Sequence, residues 1–512
     1  MPDTTYRARS ASADGSSPHV TGGLRARWRS APPRQRQTWR LSVTSGVVGL
    51  AVACTAIAVS GPWDSGQRTA ERVRAGHVVD GSGEEHTPTG PEGLRPAPSA
   101  PAVLHALRAP RGDSGTSEDA AAPAPAPNRA ALADALRPLL KDGALGSSVT
   151  ASVVDTATGA RLFGRQADRP VVPASTIKLA TSVAVLTARG PDHRIGTPVV
   201  RTADGRVVLV GGGDPTLTED DLADLARDTA QALRQSNGGA GRPKVRVGYD
   251  VSLWSGPVQH PIGRNENLAP VTPLTVNEGR LDDSHHGPAP RATDPSADAA
   301  RTFARQLSRQ GVAVSGTPEK VTAGGKAEPL AEHRSATLRA LVERMLTYSD
   351  NDLAEALARQ TAVATGRPAD FRGAGRAVHA QLRKQGLPVQ GAHFADGSGL
   401  DRADKVTARL LTSLLTRAAA PGHPELRTIL TGMPVAHFTG TLGSRYGGEH
   451  GAGVVRAKTG TLTGINTLAG TVADADGRLL AFAFTATGTA DPAAAKNALD
   501  RLASALADCG CR

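Results

Sequence analysis

Strand-forming sequence lies at both ends of the ordered part of this chain, and a sheet that takes in both groups leaves few folds open. Near the start, SSVTASVVD (147–155) and ARLFGR (160–165) cluster β-branched residues around the turn TATG and read as a hairpin. Near the end, GVVRAKTG, INTLAGTVAD and RLLAFAFTATG read as three more strands, followed by a helix over DPAAAKNALDRLASALADC. Between the two groups run helical patterns: ATLRALVERMLTYS, NDLAEALARQTAVATG, RGAGRAVHAQLRKQG and TARLLTSLLTRAA. A further helix, NRAALADALRPLLKDG, opens on Asn128 as its cap and stops at a glycine. The spacing predicts another from Ser175 to Gly190. The layout is that of an α+β fold, one antiparallel sheet built from both chain ends and flanked by helices.

Residues 196–330 interrupt this plan with short β-like runs (RVVLVGGG, PKVRVGYDVSLW), many turn signals and one helical stretch, DDLADLARDTAQALRQ. They are read as an inserted, β-rich domain, which leaves 128–195 and 331–512 as one discontinuous domain. The net charge of +11 suggests nucleic acid until it is located along the chain. Eight arginines (Arg7, Arg9, Arg25, Arg27, Arg29, Arg34, Arg36, Arg40) precede residue 41 against only Asp3 and Asp14. The excess over the remaining residues is modest and has no interleaved aromatic residues for base stacking, so nucleic acid is excluded as a partner.

Directly after the arginines, Leu41 to Ser60 read LSVTSGVVGLAVACTAIAVS, twenty residues without a charge and long enough to cross the cytoplasmic membrane as a helix. The positive-inside bias makes 1–40 a cytoplasmic tail, 41–60 a single-pass signal-anchor and the rest extracellular. Cleavage at the small-residue pattern Ala56-Ile57-Ala58 would instead give a secreted protein. Residues 61–127, rich in Pro and Ala, form a disordered linker. Cys54 falls within the apolar run. Cys509 and Cys511 are the other two cysteines, and one intervening residue makes a bridge between them strained.

Three short patterns occur once each and in order: Ser175-Thr176-Ile177-Lys178, Ser349-Asp350-Asn351 and Lys458-Thr459-Gly460. Positions i and i+3 of a helix share a face, so the Lys178 amine lies within reach of the Ser175 hydroxyl and, if burial keeps it neutral, can take its proton. Arginine could not do this. Only nine of the 59 basic side chains are lysines, and two of them fill motif positions, whereas Lys384 and Lys496 look like ordinary surface lysines. Ser349 and Asn351 fall where two helical stretches meet. There Ser349 would relay a proton to a leaving amine, and Asn351 would bind the substrate amide and Lys178. Lys458, Thr459, Gly460 and Thr461 end a strand at which an extended substrate can add, its terminal carboxylate meeting Lys458, Thr459 and Thr461. Backbone N–H groups of Ser175 and Thr461 would form the oxyanion hole. The histidines lack metal-ligand spacing, so no metal and no cofactor is expected.

These motifs, together with PASTIKLATSVAVLTARGPDHR, LVGGGDPTLT, TPLTVNEGRLD, SDNDLAEAL, DGSGLDR, MPVAHFTGTLGSR and AKTGTLTGINTLAG, resemble the low-molecular-mass class C penicillin-binding proteins, D-alanyl-D-alanine carboxypeptidases/endopeptidases, over about residues 130–505. The resemblance implies a β-lactamase/transpeptidase-like fold with an extra domain between the first and second motifs. It implies a serine carboxypeptidase that cleaves peptidoglycan D-Ala-D-Ala peptides through an acyl-enzyme and is inhibited by β-lactams. A non-turnover penicillin or peptidoglycan sensor and a β-lactamase are the alternatives. Class A β-lactamases have a much shorter first gap, and no acidic deacylation loop follows Ser175. The turn Asp396-Gly397-Ser398-Gly399 reads as structural support beside the cleft.

Overall fold

The computed structural model describes residues 126–511 apart from 237, 239 and 240. The arginine-rich tail, the apolar segment 41–60 with Cys54, and nearly all of the linker lie outside the described residues. Among the described residues no helix is long and apolar enough to cross a membrane.

The first sheet joins the two chain ends. Its strands are β1 (Ser148–Asp155), β2 (Arg161–Arg165), β10 (Val455–Leu462), β11 (Ile465–Ala473) and β12 (Leu479–Thr487), in the order β10-β11-β12-β1-β2. All four pairings are antiparallel, and β1 runs beside β12 from Ser148 opposite Thr487 to Asp155 opposite Leu480. Alternation along β12 sorts its side chains between two layers. Phe482 and Phe484 enter the core shared with α1 (Arg129–Leu139) and with the C-terminal helix Pro492–Ala507, beside Leu132, Leu136, Leu499 and Leu502. Ala481 and Ala483 face the opposite core, where small side chains let helices approach closely. That second core is built by α2 (Lys178–Arg189), α5 (Leu338–Tyr348), α6 (Asn351–Ala364), α7 (Phe371–Lys384) and α8 (Ala408–Ala419). The expected α+β layout, with its sheet drawn from both ends, is therefore present.

A second five-stranded sheet lies between the first two motifs, in the order β8-β6-β4-β3-β9. Its strands are β3 (Arg194–Arg201), β4 (Val207–Val210), β6 (Val247–Asp250), β8 (Glu319–Lys320) and β9 (Glu328–Thr337), with the short pair β5 (Lys244–Val245) and β7 (Ala313–Val314) beside it. Parallel pairing of β4 with β6 and of β6 with β8 requires crossovers. These are supplied by α3 (Glu219–Ser236) and α4 (Pro295–Arg309), whose Leu222, Leu225, Phe303 and Leu307 pack on Val207, Leu209 and Val247. The sequence reading anticipated α3 but not α4, although Asp294 caps it and Pro295 occupies its first turn. Residues 251–294 leave this sheet and pack against α6 and α7, where Trp254 and Leu268 join Ala356 and Phe371, which brings them to the cleft described below. After α8, the short α9 (Arg427–Gly432) leads toward β10, and the chain ends on α10 (Pro492–Ala507). Cys509 and Cys511, whose oxidation the sequence left open, are joined as a disulfide.

Candidate active site

Ser175 stands on a single 3-10 turn, Ala174–Ile177, and α2 begins only at Lys178. The sequence reading had started the helix at Ser175. The tighter turn has a chemical effect, since residues i and i+3 eclipse in a 3-10 geometry and Lys178 comes directly beneath Ser175. Ala174 holds a left-handed φ of 47°, which costs a non-glycine residue about 1–2 kcal/mol. The turn is fastened from both sides: Thr176 Oγ1 and Thr467 Oγ1 donate to the Pro173 carbonyl at 2.7 and 2.9 Å.

Lys178 is fully buried, and its Nζ reaches three acceptors: Ser175 Oγ at 2.9 Å, Asn351 Oδ1 at 2.8 Å and the Ser398 carbonyl at 2.6 Å. Burial lowers its pKa to about 8, against the opposing pull of Asp396, Asp350, Glu355 and Asp404. A neutral amine has two N–H groups and one lone pair. With Asn351 and Ser398 taking the N–H groups, the lone pair points at the Ser175 hydroxyl.

Ser349, Asp350 and Asn351 occupy the joint between α5 and α6. Ser349 terminates α5 in a left-handed conformation, and Asp350 caps α6 by accepting from the Leu353 N–H at 3.0 Å. Asn351 is thereby the first residue of α6, with its Nδ2 donating to the Asn267 carbonyl at 3.0 Å. Lys458, on edge strand β10, is also fully buried, and its Nζ donates to Ser349 Oγ at 2.9 Å and to the Thr459 carbonyl at 2.7 Å. Burial and the nearby Lys178 push its pKa well below the usual lysine range. Its Nζ faces Ser349, and Lys458 is not among the residues that line the open cleft. Thr459 donates to Thr441 Oγ1 at 2.9 Å, and Thr459 and Thr461 line a cleft of about 400 Å³ with Ser175, Ser349 and Asn351. Gly460 is required by close packing: a Cβ there would collide with Thr467 Oγ1 and would sit 2.9 Å from the Pro173 carbonyl oxygen and 3.1 Å from Ala174 Cβ. It lets β10 approach the serine turn.

The turn 396–399 touches the chemistry directly through the Ser398 carbonyl. Asp396 accepts from the Ser398, Gly399 and Asp401 N–H groups at 3.0, 2.6 and 2.8 Å and bonds to His260 Nε2 at 3.0 Å. Because His260 Nδ1 accepts from the Ile262 N–H at 3.2 Å, the proton of a neutral ring is on Nε2, facing Asp396. Glu355 accepts from the Gly397 and Ser398 N–H groups at 2.9 and 3.0 Å and pairs with Arg359 at 3.1 Å. The buried Arg359 guanidinium in turn lies 4.1 Å above the Phe371 ring. Neither Glu355, Arg359 nor His260 stood out in the sequence. A signal was available for two of them, since Asn351, Glu355 and Arg359 recur at every fourth position of α6 with only apolar residues between Glu355 and Arg359.

Among the described residues, two buried clusters have ligand atoms close enough for a metal: His260, Glu355 and Asp396, and Glu278, Asp350 and Asp352. Arginine already supplies positive charge to both. Arg359 pairs with Glu355, Arg280 and Arg344 with Glu278, and Arg291 with Asp352. Burial and the neighbouring Asp350 push Glu278 up to about 9, which favours a shared proton there.

This fold and ordered cleft define a transpeptidase-like domain. The sequence matches the D-Ala-D-Ala carboxypeptidase 3 (S13) family over residues 132–290 and 282–508. It is 36% identical over 408 residues to a carboxypeptidase of Mycobacterium tuberculosis, covering 75% of this chain and 85% of the relative. Carboxypeptidase DacB of Mycolicibacterium smegmatis is likewise 36% identical, over 76% of this chain and 86% of the relative. The fold is similar to penicillin binding protein 4 from Haemophilus influenzae, with a TM-score of 0.60 at 22% identity over 73% of this chain and 97% of that one. The chain belongs to the D-Ala-D-Ala carboxypeptidase (S13) family, the low-molecular-mass class C penicillin-binding proteins.

Proposed function

We propose that Ser175 attacks the carbonyl between the two terminal D-alanines of a peptidoglycan stem peptide, with Lys178 as its base. Family membership makes the chain a D-Ala-D-Ala carboxypeptidase, and the residue roles are read from geometry. The observation that carries them is the triple coordination of Lys178 Nζ, which leaves one lone pair aimed at Ser175 Oγ. As Oγ bonds to the carbonyl carbon, its proton passes to Lys178. The carbonyl oxygen becomes an oxyanion held by the backbone N–H groups of Ser175 and Thr461. Collapse expels D-alanine, whose amine takes a proton through Ser349, fed by Lys458 at 2.9 Å. Asn351 holds Lys178 and the substrate amide, Thr459 and Thr461 receive the terminal carboxylate, and Gly460 seats the strand against the serine turn. Water then hydrolyses the ester, and the serine recovers its proton. β-Lactams acylate the same hydroxyl.

Residues 128–195 and 331–512 act as the catalytic domain and 196–330 as an insertion, a division supported by the separate second sheet. The chargeless segment 41–60, preceded by arginines, supports a single-pass anchor that holds the catalytic domain on the outer, cell-wall side of the cytoplasmic membrane. Incubation with benzylpenicillin followed by intact mass and peptide mapping tests the nucleophile: label is expected on Ser175 and absent in Ser175→Ala. D-Alanine release from a stem pentapeptide separates an enzyme from a sensor. Negligible nitrocefin turnover separates it from a β-lactamase.

A further inference from the structure

A substrate ending in D-alanine brings a full negative charge into the cleft, and the motif lysine is badly placed to meet it. Lys458 is buried, spends its hydrogen bonds on Ser349 and the Thr459 carbonyl, and is not among the residues that line the open cleft. Thr441, Thr459 and Thr461 do line it, but they are neutral. Four other cations reach the cleft wall: Arg280, Arg291, Arg445 and Lys496. Three of them are committed. Arg280 pairs with Glu278 at 2.9 Å, Arg291 with Asp352 at 2.9 Å, and Arg445 grips Asp500 with two bonds of 2.6 and 2.9 Å. Lys496 is half-buried on the second turn of α10 and has no acidic partner among the described residues.

Its position is fixed relative to the end of β10. Arg445 Nη2 donates to the Lys496 carbonyl at 3.2 Å, and Thr441, four residues before Arg445, accepts from Thr459 at 2.9 Å. Those two bonds tie the start of α10 to the strand that carries Thr459 and Thr461. We infer that Lys496 is the specificity-determining cation of the cleft, binding the α-carboxylate of the leaving amino acid beside Thr459 and Thr461. This rests on the acyl-transfer reading of the same cleft. Substrates and inhibitors whose carboxylate is blocked are accordingly poor ligands, and the discrimination belongs to one side chain outside the three motifs.

The test compares the full chain with Lys496→Gln and Lys496→Arg on two substrate pairs. One pair is a stem pentapeptide ending in D-Ala-D-Ala and the same peptide ending in D-alaninamide. The other is benzylpenicillin and its methyl ester, followed by mass at Ser175, which requires no turnover. In Lys496→Gln the carboxylate-to-blocked ratio of kcat/KM, and of acylation rates, is expected to fall about tenfold or more, the loss of one charge-assisted hydrogen bond. Lys496→Arg should restore most of it. Each ratio is internal to a variant, so a general loss of activity cancels. Ratios within about twofold of wild type in Lys496→Gln overturn the assignment. A wild-type chain that neither releases D-alanine nor takes label on Ser175 defeats the acyl-transfer reading instead.

Discussion

In the proposed mechanism Lys178 serves as the base because its surroundings leave it a poor place for charge. With a pKa of about 8 it is mostly protonated at neutral pH, and its neutral fraction grows about tenfold per pH unit below that value. Acylation of Ser175 by benzylpenicillin is therefore expected to rise with pH, levelling above 8, as read from second-order rate constants across the range. Lys178→Arg should lower that rate by about 10³-fold or more and abolish the rise, since guanidinium does not deprotonate in proteins. Ordering and spacing made Ser175, Lys178, Ser349, Asn351 and the Lys458 strand legible in the sequence as a set. Which way each side chain points was not. Lys458 turns inward to Ser349, and Lys496, which looked like a surface lysine, lies on the cleft wall. Both facts depend on tertiary packing that no local spacing encodes.

At the scale of elements, the serine turn is held by its neighbours more than by its own helix. Gly460 allows β10 to reach Pro173 and Ala174, so Gly460→Ala is expected to slow acylation about tenfold or more by shifting Ser175, with little change in far-UV circular dichroism. The turn 396–399 is a second support. His260 holds Asp396, which organises the backbone that presents the Ser398 carbonyl to Lys178. His260→Ala should lower kcat more than it raises KM, and His260→Gln, which keeps a donor toward Asp396, should recover part of the loss. Strand and helix patterns were readable here because β12 alternates Phe with Ala and α6 is apolar between its charges. The turn's contact with Lys178 was not readable, since residues 178 and 398 are separated by the five helices α3 to α7 and meet only through tertiary packing.

Considered as a whole molecule, the segment proposed as an insertion, residues 196–330, is part of the candidate site. It contributes the Asn267 carbonyl to Asn351, the Ala269 N–H to Asp352 and His260 to Asp396. Replacing residues 252–292 with a short flexible linker should therefore abolish penicillin labelling although all three motifs remain. Replacing residues 1–60 with a cleavable signal peptide is expected to leave labelling intact while moving the exported protein from the membrane to the soluble fraction, measured by fractionation and fluorescent penicillin.

The pairing of β1 with β12 also sets an order of events in biosynthesis. In the proposed export, Ser175 would emerge early, but the hairpin β1–β2 has no neighbour on its inner edge until β12, ending at residue 487, follows it. The strand that carries Lys458 arrives almost as late. On the proposed topology, a product cut short during translocation would lack the Lys458 strand and present an open strand edge to proteolysis and quality control. Reactivity toward cell-wall peptides would then begin only once these last strands have been delivered.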